Sequence, residues 1–152
     1  MTDILRASAD ARDILHVMVR DCGLFTPDEL RQMAADLDGW AADGTDRTWM
    51  RSADGQAAAR LAPEPMAPDV WNLLFLGTRP GARRAGRARA LVAASEDAAR
   101  DAGARLVLVD TASVEEMAPA RAPHGTSGYE REAVIRDYWA EGVDKVTFRK
   151  AL

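Results

Sequence analysis

At 152 residues the chain is long enough for one domain with a proper core and too short for two, so a single domain over residues 1–152 is expected. Its 47% hydrophobic and 29% charged residues are ordinary for a soluble globular protein, and a net charge of −4 argues against general nucleic-acid binding. No apolar run reaches membrane-spanning length and the N-terminus lacks a signal-peptide core, so the expected location is the cytoplasm, with no membrane partner. Cys22 stands alone, which excludes an internal disulfide. With only His16 and His124 beside it, no metal site is expected.

Residues 9–22 read as a helix with Ile14, Val17 and Met18, then Cys22, on one face, and Gly23 ends it. Thr26-Pro27-Asp28-Glu29 forms a capping box with proline at the first helical position, and Phe25 and Leu30 are spaced for a hydrophobic staple. Leu30, Met33, Ala34 and Leu37 continue at helical spacing, which predicts a second helix to about residue 42 with a core-facing stripe. Asp43-Gly44 then turns the chain. Residues 48–51, a turn at Asp54-Gly55 and residues 56–61 predict a hairpin. Pro63, Pro65 and Pro68 predict an irregular link. An apolar strand follows at 70–78, then a helix at 86–102 closed by Gly103, then a second apolar strand at 105–111. That order predicts a βαβ unit with a right-handed connection and parallel strands, within an α/β domain.

Five arginines (79, 83, 84, 87 and 89) crowd the junction between this strand and helix. Cations at a helix N-terminus oppose its dipole unless an anion sits among them, and the free N–H groups there would cradle a phosphate. The plainer alternative is a solvated basic loop whose repulsion is screened by water and salt. A polyphosphate ligand is the sharper expectation.

The junction reads Arg83-Arg84-Ala85-Gly86-Arg87-Ala88. This Arg-x-x-Gly-x-Ala spacing between strand and helix resembles the acyl-CoA signature of the GNAT superfamily of N-acyltransferases. The resemblance continues through residues 105–111, Gly128-Tyr129-Glu130 and the strand at 145–150. It reaches back to Ile4-Leu5-Arg6-Ala7 with Asp10 and Asp13, and so covers nearly the whole chain. It implies a GNAT-like mixed, splayed β-sheet flanked by helices, in which a central βαβ unit binds acyl-CoA where its two strands part. It further implies that backbone N–H groups from Arg84 to Arg89 take the pyrophosphate, with charge-assisted contacts from Arg83. Arg83, Arg84, Ala85, Gly86, Arg87, Ala88 and Arg89 are therefore the expected cofactor-binding residues. The family commonly has glycine at position 84, and this chain does not. Leu76, Gly77 and Thr78 match strand positions whose backbone pairs with the pantetheine arm and polarises the thioester carbonyl. Gly77 would let that arm approach closely, or would mark a bulge.

Acyl transfer needs a deprotonated amine, and lysine-like amines have pKa values near ~10, so a general base or a water chain to one would help. The family commonly places a tyrosine acid where this chain has His124, within Ala122-Pro123-His124-Gly125. Proline and glycine there oppose the short helix that the resemblance implies. His124 replaces the tyrosine as proton donor, or is a loop histidine without a role, or marks a protein that binds acyl-CoA without efficient turnover. Asn72 stands where related sequences often carry an acid beside the tryptophan, and asparagine cannot act as a base. Asp110, Glu64, Glu115 and Glu116 remain as carboxylates. Asp110, at a strand end, is the best placed, though helix capping suits it equally. Tyr129 is a packed strand residue or a substitute acid. Trp71 and Tyr138, with Trp139, would line a substrate pocket, core packing being the plainer role for Trp71.

The resemblance thus implies an acyl-CoA-dependent N-acyltransferase using acetyl-CoA as co-substrate and no metal. It would deliver the acetyl group to a small-molecule amine or amino-acid-like substrate by direct attack in a ternary complex. The catalytic candidates are His124, Asp110 and Tyr129, and the substrate-binding candidates are Trp71, Asn72 and Tyr138. Dimers are frequent in the family, so a homodimer is allowed. The rival is a catalytically degenerate GNAT domain that binds acyl-CoA as a sensor or interaction module.

Overall fold

The computed structural model describes residues 2–43, 48–112 and 128–152. The elements are β1 (Ile4–Arg6), a 3-10 turn at Ala9–Ala11, α1 (Arg12–Asp21), α2 (Pro27–Asp43), β2 (Thr48–Ser52), β3 (Ala57–Glu64), β4 (Ala67–Thr78), a 3-10 turn at Pro80–Ala82, α3 (Arg87–Asp101), β5 (Leu106–Ala112), β6 (Glu130–Ala140) and β7 (Val143–Ala151). The strands form one seven-stranded sheet in the order β1-β2-β3-β4-β5-β7-β6. Only β4 and β5 run parallel among the paired strands, joined through α3. This is the expected mixed α/β sheet with its central βαβ unit.

The N-terminus of α2 forms as its sequence dictates. Thr26 N–H donates to Glu29 Oε2 at 2.8 Å, and Glu29 N–H donates to Thr26 Oγ1 at 3.3 Å, closing the capping box. Phe25 and Leu30 pack, partly buried, against the same core cluster. The α1 face differs from expectation. Leu15, Met18, Val19 and Cys22 are buried, whereas Ile14 is exposed and Val17 only partly covered. The spacing 15, 18, 19, 22 is itself one helical stripe, turned by one residue from the predicted face.

The sheet separates two cores. Leu61, Leu73, Leu76, Leu91, Val92, Val107 and Val109 pack between the sheet and α3, and Trp49, Ala58, Phe75, Cys22, Leu15 and Leu37 pack beneath α1 and α2. Trp49, fully buried, stacks obliquely against Phe75 at 5.8 Å and Trp40 at 6.4 Å. Among the described residues, no helix is long and apolar enough to cross a membrane.

The three prolines fall in a hairpin whose register is irregular: Pro63 opposes Trp71 while Glu64 opposes Ala67, so residues 68–70 stand between them without a partner on β3. β3 runs through Pro63 to Glu64, which opposes Ala67 across a tight hairpin turn. Pairing of β3 with β2 ends at Leu61. Alternation along β3 turns the nitrogen of Pro63 towards that vacated side, where a missing N–H costs nothing. The predicted turn at Asp43-Gly44 extends beyond the described residues.

Candidate active site

Pairing between β4 and β5 begins at Val70–Leu106 and stops at Leu73–Val109. Beyond it β4 continues to Thr78 against β3, and β5 continues to Ala112 against β7. The two parallel strands therefore part. The register with β3 supplies the cause. Arg60 opposes Phe75 and Leu61 opposes Leu73, so Leu74 is an extra residue on β4. Such a bulge bends its strand. It also resets the alternation, which is why Leu73 and Leu76, three apart, share the α3-side core.

Arg79 N–H donates to the Gln56 carbonyl at 2.9 Å. Bonded pairs alternate along an antiparallel ladder, so the peptide groups of Gly77 face β3 while those of Leu76 and Thr78 face the opening. A Cβ at Gly77 would lie 2.6 Å from Phe75 Cζ and 3.1 Å from Cys22 Cβ. The missing side chain thus makes room for Phe75 on the α1–α2 face.

At the mouth of the opening, α3 starts from Gly86 in the left-handed conformation, with no side-chain cap and no acid in its first turn. Its first backbone bond is from Ala90 N–H to the Gly86 carbonyl, leaving the N–H groups of Arg87, Ala88 and Arg89 without helical acceptors. Arg84, at φ 65°, takes a conformation in which glycine would be unstrained. Ala85 is exposed, and Ala88 packs partly buried against the α3-side core.

The arginines are less mutually repulsive than their crowding implies. Arg79 pairs with Asp21 at 2.6 Å, and Arg87 pairs with Asp54 at 2.6 Å while also donating to the Ala82 carbonyl. Arg83 donates to the carbonyls of Cys22 at 2.8 Å and Thr78 at 3.3 Å, which ties the turn to the end of α1. Arg87, and then Ser52, hold the Asp54 carboxyl down to about 2. Arg20, and then Arg79, likewise lower Asp21. Arg84 and Arg89 are exposed and make no hydrogen bond or ion pair among the described residues.

At the closed end of the opening, on the sheet face shared with α1 and α2, polar side chains converge. Asn72 is buried, and its Nδ2 donates to Glu64 Oε1 at 2.8 Å and to Asp110 Oδ2 at 3.1 Å. With the amide nitrogen held between two carboxylates, Asn72 Oδ1 has no hydrogen-bond donor among the described residues. Thr147 donates to Asp110 Oδ1 at 2.7 Å, and Lys145 Nζ lies 3.3 Å from Asp110 Oδ2. The Tyr138 ring covers the same ammonium at 4.4 Å and meets Trp139 edge to face at 4.7 Å. Asn72, Asp110 and Tyr138, predicted separately, thus meet in one cluster. Lys145 and Thr147, which the sequence reading missed, complete it. Their signal was register: both lie on β7 opposite the end of β5.

Other predicted residues lie elsewhere. Tyr129 is buried on the α3 side and hydrogen-bonded to Glu96. Burial, with the Glu96 carboxylate beside it, pushes its phenol well above the ordinary value. Trp71 packs, half-buried, against the same α3-side core. His124, with Glu115 and Glu116, lies outside the described residues.

The model of the acetyltransferase (GNAT) family matches residues 13–122. The chain belongs to the GNAT family of acetyltransferases. Comparison with curated proteins gives no match. Among solved structures, this GNAT chain superposes on a GNAT-family protein from Desulfovibrio desulfuricans with a TM-score of 0.90 at 23% identity, covering 99% of both chains. It matches yncA of Salmonella typhimurium, solved with its cofactor acetyl-CoA, with a TM-score of 0.78 at 14% identity, covering 100% of this chain and 94% of that one. The ribosomal-protein-S18-alanine N-acetyltransferase of Escherichia coli gives 0.76 at 15% identity, over 99% and 94% of the two chains. At these identities the likeness concerns the fold, and the splayed sheet of this GNAT chain is part of it.

Proposed function

We propose that this GNAT protein transfers an acetyl group from acetyl-CoA to the amine of a small molecule, by direct attack within a ternary complex. The observation that carries the reading is the parting of β4 and β5 beyond Leu73–Val109, with an uncapped helix N-terminus at its mouth. The donor set suits acetyl-CoA. The N–H groups of Arg87, Ala88 and Arg89 suit a pyrophosphate, with Arg84 and Arg89 supplying charge. The outward peptide groups of Leu76 and Thr78 suit the amides of an extended arm. The thioester supplies the activated acyl group. A peptide N–H of β4 orients and polarises its carbonyl, and Asn72, Asp110 and Glu64 orient the incoming ammonium, which gives up a proton to solvent before the free amine attacks. Holding both partners in one cleft does most of the remaining work.

Calorimetric titration with acetyl-CoA tests the first half. The Arg84→Glu, Arg89→Glu variant is chosen because neither side chain is tied into the fold, and it should lose binding while keeping its melting temperature. Release of CoA that depends on amines from a broad panel tests the second half. Binding without turnover across the panel would favour the acyl-CoA sensor, a reading supported by Asn72 standing where a base would serve. No binding by the folded protein would end both.

A further inference from the structure

Only two of the chain's twenty Lys and Arg residues are lysines, Lys145 and Lys150. Five residues apart on β7, they fall on opposite faces of the sheet. Lys150 is tied into the α3 side, with its Nζ 2.9 Å from Glu96 and over the ring of Tyr129. Lys145 reaches back towards the opening. Its Nζ contacts the same Asp110 oxygen that accepts from Asn72, and Asn72 lies one residue before the last paired rung of β4 and β5. A carboxylate and an aromatic face, the two groups best suited to a primary ammonium, therefore hold an ammonium of the protein itself at the closed end of the opening. For an ion pair alone, arginine serves at least as well, and this chain uses it almost everywhere. Lysine adds what arginine lacks, an amine that can lose its proton and act as a nucleophile.

We propose that Lys145 occupies the place of the acceptor amine and is itself an acetylation site of this protein's own reaction. The inference rests on the transferase reading above. Lys145 Nζ gives up a proton, by way of the Asp110 carboxylate, to solvent. The free amine attacks the carbonyl carbon of the acetyl thioester, an N–C bond forms and the C–S bond breaks. CoA leaves as the thiolate and takes up the second proton, which the attacking nitrogen sheds as it becomes an amide, so nothing is oxidised or reduced. The product is an uncharged acetyl-lysine, which frees the Asp110 carboxylate for an incoming ammonium.

Lys150 is the internal control. The folded protein is incubated with acetyl-CoA and no amine, and labelling is followed by intact mass and peptide mapping. Lys145 should gain one acetyl group at least tenfold faster than Lys150, and n-butylamine should slow the labelling. Lys145→Arg should abolish the fast gain, and Lys150→Arg should retain it. Equal labelling of the two lysines is chemical background and overturns the proposal. Acetyl-CoA binding and amine-dependent CoA release with Lys145 unmodified also overturn it, while leaving the transferase reading intact. Absence of acetyl-CoA binding removes both.

Discussion

Asn72 sets its amide nitrogen 3.1 Å from Asp110, bridging β4 and β5 one residue before the strands part. The same nitrogen reaches Glu64 on β3. One neutral side chain thus ties three strands together at the closed end of the cleft, and keeps two carboxylates apart with the hydrogens of a single NH2 group.

Asn72→Asp should reverse that role by placing three carboxylates together. The three would share the single Lys145 ammonium beside Asp110, and like charges in excess of it disfavour ionisation. A carboxyl whose folded pKa is raised binds more protons in the folded state, so its penalty fades as pH falls. The variant should be less stable by about 1–3 kcal/mol at pH ~7. It should close much of that gap with the parent chain on acidification to pH ~4, as read by urea denaturation. A gap unchanged with pH would show that the three carboxylates do not interact.

Asp54 gives the opposite sign. Arg87 and Ser52 hold its carboxyl down to about 2, so its contribution is present above the unfolded carboxylate value and lost as pH falls through about 2. Asp54→Asn should lower stability by less than ~1 kcal/mol at neutral pH, because the side chain is nearly half exposed and screened. The difference should shrink in high salt and vanish in strong acid. A difference that persists in acid would assign the loss to the β2–β3 turn, where Asp54 also accepts from the Ser52 hydroxyl and Gln56 N–H.

Gly77→Ala should be costly although alanine suits a strand better than glycine. Its Cβ would overlap Phe75 Cζ at 2.6 Å, and overpacking of this kind costs about 1–3 kcal/mol. Phe75→Leu in the same chain should recover part of the loss in denaturant midpoint. Failure of that rescue would move the conflict to Cys22.

Tyr129→Phe separates packing from catalysis. The hydroxyl is bonded to buried Glu96, so its loss should cost about 1 kcal/mol and leave acetyl-CoA binding and kcat unchanged. A fall in kcat with stability preserved would instead make the phenol a proton donor.

Most of the elements were legible locally. The capping box of α2, the apolar strands β4 and β5 and the glycine that closes α3 are each defined by residues within a few positions of one another, where hydrogen bonding and steric preference act without the rest of the chain. The buried face of α1 was misread by one residue because Ile14 and Val17 are as apolar as Leu15 and Val19. Only the position of the sheet decides which stripe it covers. The prolines of the β3–β4 hairpin marked its irregular register, but not that both strands run on through them: whether a missing N–H matters depends on where the neighbouring strand ends.

By itself, the sequence determined an α/β chain with a βαβ unit and an arginine-rich, glycine-started helix fit for an anion. Tertiary structure alone decided what those arginines do. Asp21, Asp54 and the Cys22 carbonyl lie far from them in sequence, yet hold Arg79, Arg87 and Arg83 in place. It also decided where the sheet opens, because a bulge at Leu74 exists only relative to the register of β3. The cluster of Glu64, Asn72, Asp110 and Lys145 comes from four strands. Pairing between strands is set by long-range burial and register, which no local pattern of residues records.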